Sequence, residues 1–182
     1  SRGLGDVYKR QLITVLLKIQ LPSPIHPLKS PLLEQKGLRL LIKRDDLIHP
    51  IVSGNKWRKL QFNLEEAIRQ GHSTVVSFGG AYSNHIHALA EAAPAYGLKA
   101  IGVIRGEAPT VYSSTLVFAQ AKGMTLSFID REHYKEKNSP IFIENLRAQY
   151  GPIYLIPEGG ANANGAKGCE AIVQELPQDY DV

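Results

Sequence analysis

The chain has 182 residues, of which 43% are hydrophobic and 21% are charged, and its formal net charge is +4. No apolar run is long enough to cross a bilayer, the basic residues are scattered, and the single cysteine, Cys169, excludes an internal disulfide framework. This composition is typical of a globular protein of the reducing cytoplasm, and it argues against membrane and nucleic-acid partners.

Residues 1–11 show no apolar periodicity and are interpreted as a non-native leader. The only methionine is Met124, which indicates that the chain is a fragment. The run LITVLLKI at 12–19 is interrupted by Lys18 and is too short for a membrane anchor, so we interpret it as a strand.

From residue 38 onward, short apolar runs alternate with amphipathic stretches. The predicted strands are 38–42, 74–78, 99–104, 125–129 and 152–156. The predicted helices are one from Trp57 that ends at Gly71, one around 86–93 that ends near Gly97, and 109–122, 139–150 and 166–176. Strands that are apolar throughout and alternate with helices predict an α/β fold, with parallel sheets covered by helices on both faces.

The first segment that could carry chemistry is SGNKWRK at 53–59. Ser53 or Asn55 could cap the following helix, and Gly54 permits an unusual backbone angle. Lys56 then lies near the positive end of the helix dipole, which favours the neutral amine that a Schiff-base nucleophile needs. The alternative is an ordinary basic and solvated helix start.

Two further segments lie at predicted strand-to-helix turns, where open α/β sheets bind ligands. The segment 77–85 (SFGGAYSNH) could bind a carboxylate or phosphate through helix-start N–H groups and polar side chains, or it could be a glycine turn with a Ser or Asn cap. The segment 157–168 (PEGGANANGAKG) permits close backbone approach but matches no phosphate-binding motif.

Other candidate groups are weaker. Only His85 and His87 lie close together among the six histidines, so we expect no metal site. No nucleophile elbow of the GxSxG type is present. Asp45 and Asp46 could form a carboxylate pair, although their position after a strand and before Pro50 favours a turn.

Taken together, SGNKWRKL, GGAYSNH and PEGGANANGAKG resemble the aminocyclopropane-carboxylate deaminase/D-cysteine desulfhydrase family, from about residue 21 to residue 176. That family consists of pyridoxal 5'-phosphate enzymes with the tryptophan-synthase β-type fold. The resemblance implies that residues 12–52 begin a large cofactor domain and that 53–158 form a small α/β domain. Residues 159–182 would return into the large domain, which is incomplete at the C-terminus.

The resemblance also implies roles for individual residues. Lys56 matches the lysine that binds the cofactor and moves the substrate's α-proton, and Ser83 matches a catalytic hydroxyl near the reacting carbon. The remaining implied cofactor-binding residues are Asn55, Lys59, Asn84, Gly159 and Gly160. The implied substrate-binding residues are Tyr82, Ser83, Asn84 and His85, with Ser83 and His85 binding the carboxylate.

The implied activity is the conversion of D-cysteine to pyruvate, sulfide and ammonia, or the conversion of 1-aminocyclopropane-1-carboxylate to 2-oxobutyrate and ammonia. Ser-Asn-His at 83–85 resembles the desulfhydrase branch, whereas Tyr82 and His87 depart from the usual Gln and Arg. Rival interpretations are another pyridoxal-phosphate lyase or racemase, a cofactor-free metabolite-binding module, and an inactive remnant. A homodimer is implied at full length. Since the phosphate loop is expected beyond Val182, we expect the chain alone to bind cofactor poorly and to be inactive.

Overall fold

The computed structural model describes residues 17–177. The strands are β1 (Ile25–Leu28), β2 (Leu40–Lys43), β3 (Thr74–Gly79), β4 (Lys99–Arg105), β5 (Thr125–Ile129) and β6 (Tyr154–Ile156). The α-helices are α1 (Pro31–Gln35), α2 (Lys56–Arg69), α3 (Asn84–Ala95), α4 (Ser114–Ala121), α5 (Arg131–Lys135), α6 (Pro140–Tyr150) and α7 (Ala163–Gln174). Short 3₁₀ turns cover Asp45–Leu47 and Glu158–Gly160.

Four strands form one parallel sheet in the order β5-β4-β3-β6, and β1 and β2 pair as a separate antiparallel ribbon. Successive residues of β3 point to opposite faces. Val75 packs into a core cluster with Leu60 and Leu89, and Val76 packs into a second cluster with Leu146. Both faces of the sheet are therefore buried, and the predicted α/β fold is confirmed.

Several element boundaries differ from the prediction for identifiable reasons. Helix α4 begins at Ser114 instead of 109, because the Ser113 side chain accepts a hydrogen bond from the Leu116 amide and caps the helix there. Helix α7 begins at Ala163, earlier than predicted, because Asn162 caps it. β1, α1 and α5 were not predicted. Of the strand predicted at 12–19, residues 12–16 lie outside the described residues, and the prediction is wrong for 17–19, where 17–18 form a turn.

Helices α2 and α7 are in direct contact. A Cβ at Gly168 would lie 2.6 Å from the carbonyl carbon of Arg58 and would overlap its oxygen, so only glycine permits this approach. The Arg58 guanidinium is 2% exposed and binds the carboxylates of Asp45 (2.7 Å) and Glu175 (2.9 Å). These contacts fix the start of α2 between the segment after β2 and the end of α7.

The domain division stays a prediction, and its first segment, 1–11, lies outside the described residues. Within residues 17–177, none of the helices is both long and apolar enough to span a membrane.

Candidate active site

Lys56 is the first residue of α2, and the turn before it depends on Gly54, whose φ of 60° is in the left-handed region. Asn55 occupies the N-cap position, but its side chain does not cap the helix. The Asn55 Oδ1 instead accepts a hydrogen bond from the Lys56 Nζ at 2.6 Å. The predicted capping by Ser53 or Asn55 is therefore wrong for Asn55, whose amide orients the lysine.

The environment of Lys56 favours its neutral form. Burial lowers the pKa of the amine, and the nearby positive charge of Lys59 lowers it further, while Cys169 opposes these effects. The direction agrees with the prediction, and burial is the largest cause. A larger fraction of neutral amine at a given pH makes Lys56 a better nucleophile toward a carbonyl group.

The segment after β3 turns sharply into α3. A Cβ at Gly79 would lie 2.6 Å from the Ser83 Oγ, so this position requires a glycine. The Ser83 hydroxyl caps α3 by accepting a hydrogen bond from the Ile86 amide at 3.3 Å. Tyr82, in contrast, is 80% exposed.

A cavity of about 370 Å³ brings Lys56, Asn55 and Asn84 together in one wall. Its volume is in the range of sites for small molecules. Asp46 and His87 line the same cavity. Asp46 was not assigned to the site from the sequence, and His87 was noted only as a departure from the family's usual Arg near the substrate pocket. The signal for His87 was its position three residues after Asn84, on the same face of α3.

Each of these two residues has a further contact. The Asp46 carboxylate binds Arg44 at 2.7 Å, and the His87 ring lies 4.3 Å from the Phe118 ring. Asp45 does form the predicted turn, but interpreting it only as a turn former was incomplete, because it also binds the buried Arg58. No signal in the sequence alone pairs Asp45 with Arg58.

Three other predicted residues, Lys59, His85 and Gly160, lie together beside the cavity. Gly159 and Gly160 have φ values of 68° and 70°, and a Cβ at Gly160 would lie 3.0 Å from the Lys59 Cβ and 3.5 Å from the His85 Cε1. The glycine loop thus packs against α2 and α3 where a larger residue would not fit. The structure does not place these three residues or Ser83 in the cavity wall itself.

His85 is the most strongly perturbed titratable group of the site. Burial, followed by the charges of Lys56 and Lys59, lowers the pKa of its imidazole to about 4. Its Nε2 lies 2.9 Å from the Ser77 Oγ, and its Nδ1 is buried without a hydrogen-bond partner among residues 17–177. His85 is therefore a neutral ring at physiological pH.

These residues fit a cofactor that carries an aldehyde group on a polar ring. Lys56 supplies a partly buried amine, and Asn84 supplies an amide in the same cavity. Within residues 17–177, there is no group of three or more His, Cys, Asp or Glu side chains that could hold a metal ion.

Comparison with known proteins gives consistent names. No family model matches the chain. The chain is 37% identical over 164 residues to a putative 1-aminocyclopropane-1-carboxylate deaminase of Thermotoga maritima, covering 88% of this chain and 52% of the relative. It is 34% identical over 171 residues to a bifunctional D-cysteine desulfhydrase/1-aminocyclopropane-1-carboxylate deaminase, mitochondrial, of Arabidopsis thaliana, covering 88% of this chain and 42% of the relative. It is 31% identical over 166 residues to a D-cysteine desulfhydrase of Yersinia pestis, with 87% and 50% covered.

Solved structures give the same relationship. An ACC deaminase homologue superposes with a TM-score of 0.73 at 29% identity, covering 94% of this chain and 55% of that one. The serine racemase of Dictyostelium discoideum superposes with a TM-score of 0.68 at 20% identity, covering 98% of this chain and 54% of that one. At this identity the superposition supports the fold alone. The chain spans about half the length of the curated relatives it matches.

Proposed function

We propose that this chain belongs to the aminocyclopropane-carboxylate deaminase/D-cysteine desulfhydrase family and that it supplies the lysine-bearing part of a pyridoxal-phosphate-dependent active site for a small amino acid. The observation that carries this proposal is Lys56, a partly buried amine of lowered pKa that shares its cavity with Asn84.

The residues that would hold the cofactor are Lys56, Asn55, Lys59, Asn84, Gly159 and Gly160. When bound, pyridoxal phosphate supplies an electron sink for the charge that develops at the substrate's α-carbon. The Lys56 Nζ would take and return the α-proton, and its lowered pKa keeps a larger neutral fraction available for that transfer. The Asn55 Oδ1 would orient this nitrogen, since it already accepts its hydrogen bond.

For the substrate, we propose that Ser83, Asn84, His85 and Tyr82 form the binding side of the site, with the Ser83 hydroxyl near the reacting carbon. Ser83 and Asn84 stand at the start of α3, where helix N–H groups favour a carboxylate. Tyr82 is exposed and would contact substrate from the outer edge.

We propose D-cysteine as the substrate, with pyruvate, sulfide and ammonia as products. The alternative is 1-aminocyclopropane-1-carboxylate, with 2-oxobutyrate and ammonia as products. Relatives at similar identity carry both names. Ser-Asn-His at 83–85 supports the first choice. Tyr82 and His87, which depart from the usual Gln and Arg, favour neither.

The test is to express the complete open reading frame that contains this chain and to assay both reactions. We expect the protein to show the absorbance band of lysine-bound pyridoxal phosphate and to release pyruvate and sulfide from D-cysteine. Lys56→Ala should abolish both the band and the turnover. Lys99→Ala is the matched control, because Lys99 is exposed at the start of β4, at the opposite end of the strand from the loops.

The outcomes separate the candidate functions. Release of 2-oxobutyrate without sulfide would favour the deaminase. An absorbance band without either activity would favour another pyridoxal-phosphate enzyme of this fold. A folded protein that lacks the band even with added cofactor would contradict the proposal and favour the metabolite-binding module or an inactive protein.

The proposal also includes a cellular location and an oligomeric state. A cytoplasmic location is supported by the single cysteine, although the Arabidopsis relative is named as mitochondrial. A homodimer is the assembly that the family resemblance supports, and analytical ultracentrifugation of the complete protein would test it.

A further inference from the structure

The buried side chain of Ser77 makes two hydrogen bonds whose directions can be assigned. Its Oγ lies 2.8 Å from the carbonyl oxygen of Ile156 and 2.9 Å from the Nε2 of His85. A carbonyl oxygen only accepts, so the single hydroxyl proton of Ser77 goes to Ile156, and the more distant Pro157 oxygen at 3.5 Å is also an acceptor. The Ser77 Oγ must then accept from His85, so the Nε2 of His85 carries the proton.

This assignment also determines that the other ring nitrogen of His85, Nδ1, carries no proton. A neutral imidazole with a proton on Nε2 has a lone pair on Nδ1, and the Nδ1 of His85 is buried without a partner among the described residues. The charged groups that act on the ring are Lys56 and Lys59, both from α2. Glu158 of the glycine loop pairs with Lys137 at 3.4 Å and is not among the groups that shift the pKa of the ring.

We propose that Ser77 is a positioning residue that fixes His85 as the Nε2–H tautomer and so leaves Nδ1 as a buried hydrogen-bond acceptor beside the cavity. This inference rests on the proposed function for the identity of the site, but the tautomer itself does not depend on it. In this arrangement the imidazole of His85 cannot donate to a substrate carboxylate from Nδ1. The carboxylate would instead be bound by the Ser83 hydroxyl and the N–H groups at the start of α3.

The tautomer is measurable on the 182-residue chain without cofactor. Long-range ¹⁵N–¹H NMR spectra distinguish a protonated ring nitrogen from an unprotonated one, and His85→Gln assigns the His85 signals by removing them. We expect a protonated Nε2 and a bare Nδ1 that persist as the pH falls from neutrality toward about 5, because the ring's pKa is about 4.

Ser77→Ala removes the acceptor and should let both tautomers populate, so that the two nitrogen shifts move toward each other. Ser77→Thr keeps a hydroxyl and should keep the single tautomer. Ser23→Ala is the matched control, since Ser23 is also buried but binds Asp45. It should leave His85 unchanged.

A wild-type His85 with its proton on Nδ1 would overturn the proposal, and this result needs no variant to fold. A folded Ser77→Ala protein that keeps the wild-type tautomer would overturn the role of Ser77. Neither result requires activity, so failure here is distinguishable from failure of the proposed function.

Discussion

The buried ion-pair cluster around Arg58 predicts a measurable loss of stability for Glu175→Gln. The Glu175 oxygens accept hydrogen bonds from the Arg58 Nη1 and Nη2 at 3.0 and 2.9 Å, and Lys43 approaches within 2.6 Å. Glutamine preserves the shape of the side chain but removes its charge. Arg58 then remains buried with only Asp45 as its carboxylate partner.

The magnitude follows from the pKa of Glu175. Burial raises this pKa, but the hydrogen bonds from Arg58 and Lys43 outweigh burial and lower it from 4.5 to about 2. A shift of that size corresponds to about 3 kcal/mol of unfolding free energy. Because the folded pKa is the lower one, this stability is fully present above about pH 4.5 and is lost as the pH falls toward 2.

The assay is urea unfolding of the 182-residue chain, followed by circular dichroism at several pH values. At neutral pH we expect Glu175→Gln to lower the unfolding free energy by about 2–3 kcal/mol. The difference from wild type should shrink as the pH falls below 4.5. Glu170→Gln is the matched control, because Glu170 is exposed on the same helix. The reasoning is refuted if both variants unfold alike, or if the difference does not change with pH.

Two further predictions concern the same region of the molecule. Gly168→Ala should destabilise the chain by about 1–3 kcal/mol, because its Cβ would overlap the Arg58 carbonyl. Helix propensity alone predicts stabilisation, so a raised melting temperature would contradict the contact; Gly80→Ala, whose Cβ meets nothing closer than 3.8 Å, is the control. In competitive acetylation at about pH 8, Lys56 should react at least as fast as exposed Lys99, although Lys56 is partly buried. The reason is that its pKa is lowered, so that more of its amine is neutral. Mass spectrometry of the labelled peptides measures this, and slower labelling than at exposed Lys99 would count against a neutral Lys56.

The regular part of the fold could be predicted because each strand or helix has its own local signal. The apolar run 125–129 matches β5 at both ends, and Gly71 ends α2 with a φ of 79°, as predicted. The helix before Lys122 was predicted too long because Pro109 resembles a helix start. The cap that decides its first turn is the hydroxyl of Ser113. β1 was missed because its burial is slight and its pairing with β2 is a tertiary contact.

Within the site, some features depend on residues that are neighbours in the sequence, and others depend on contacts between residues far apart. Lys56 and the Ser83 cap are local features of helix starts, so their positions could be inferred from the sequence. The Ser77–His85–Ile156 contacts join residues up to 79 positions apart, and the Arg58–Glu175 pair joins residues 117 positions apart. No spacing rule connects such residues. Asp46 likewise reaches the cavity wall only through the fold, whereas His87 lies one helical turn after Asn84.

The placement of β6 beside β3, with α7 packed on α2, also has a consequence for the order in which the molecule can form. A ribosome delivers Lys56 and its helix roughly 100 residues before the glycine loop and α7 that complete their surroundings. During that interval the apolar face of α2 and one edge of β3 lack their final neighbours. Nascent chains stalled before Tyr154 should therefore bind holdase chaperones more strongly than chains extended past Gln174, since β6 and α7 cover both surfaces.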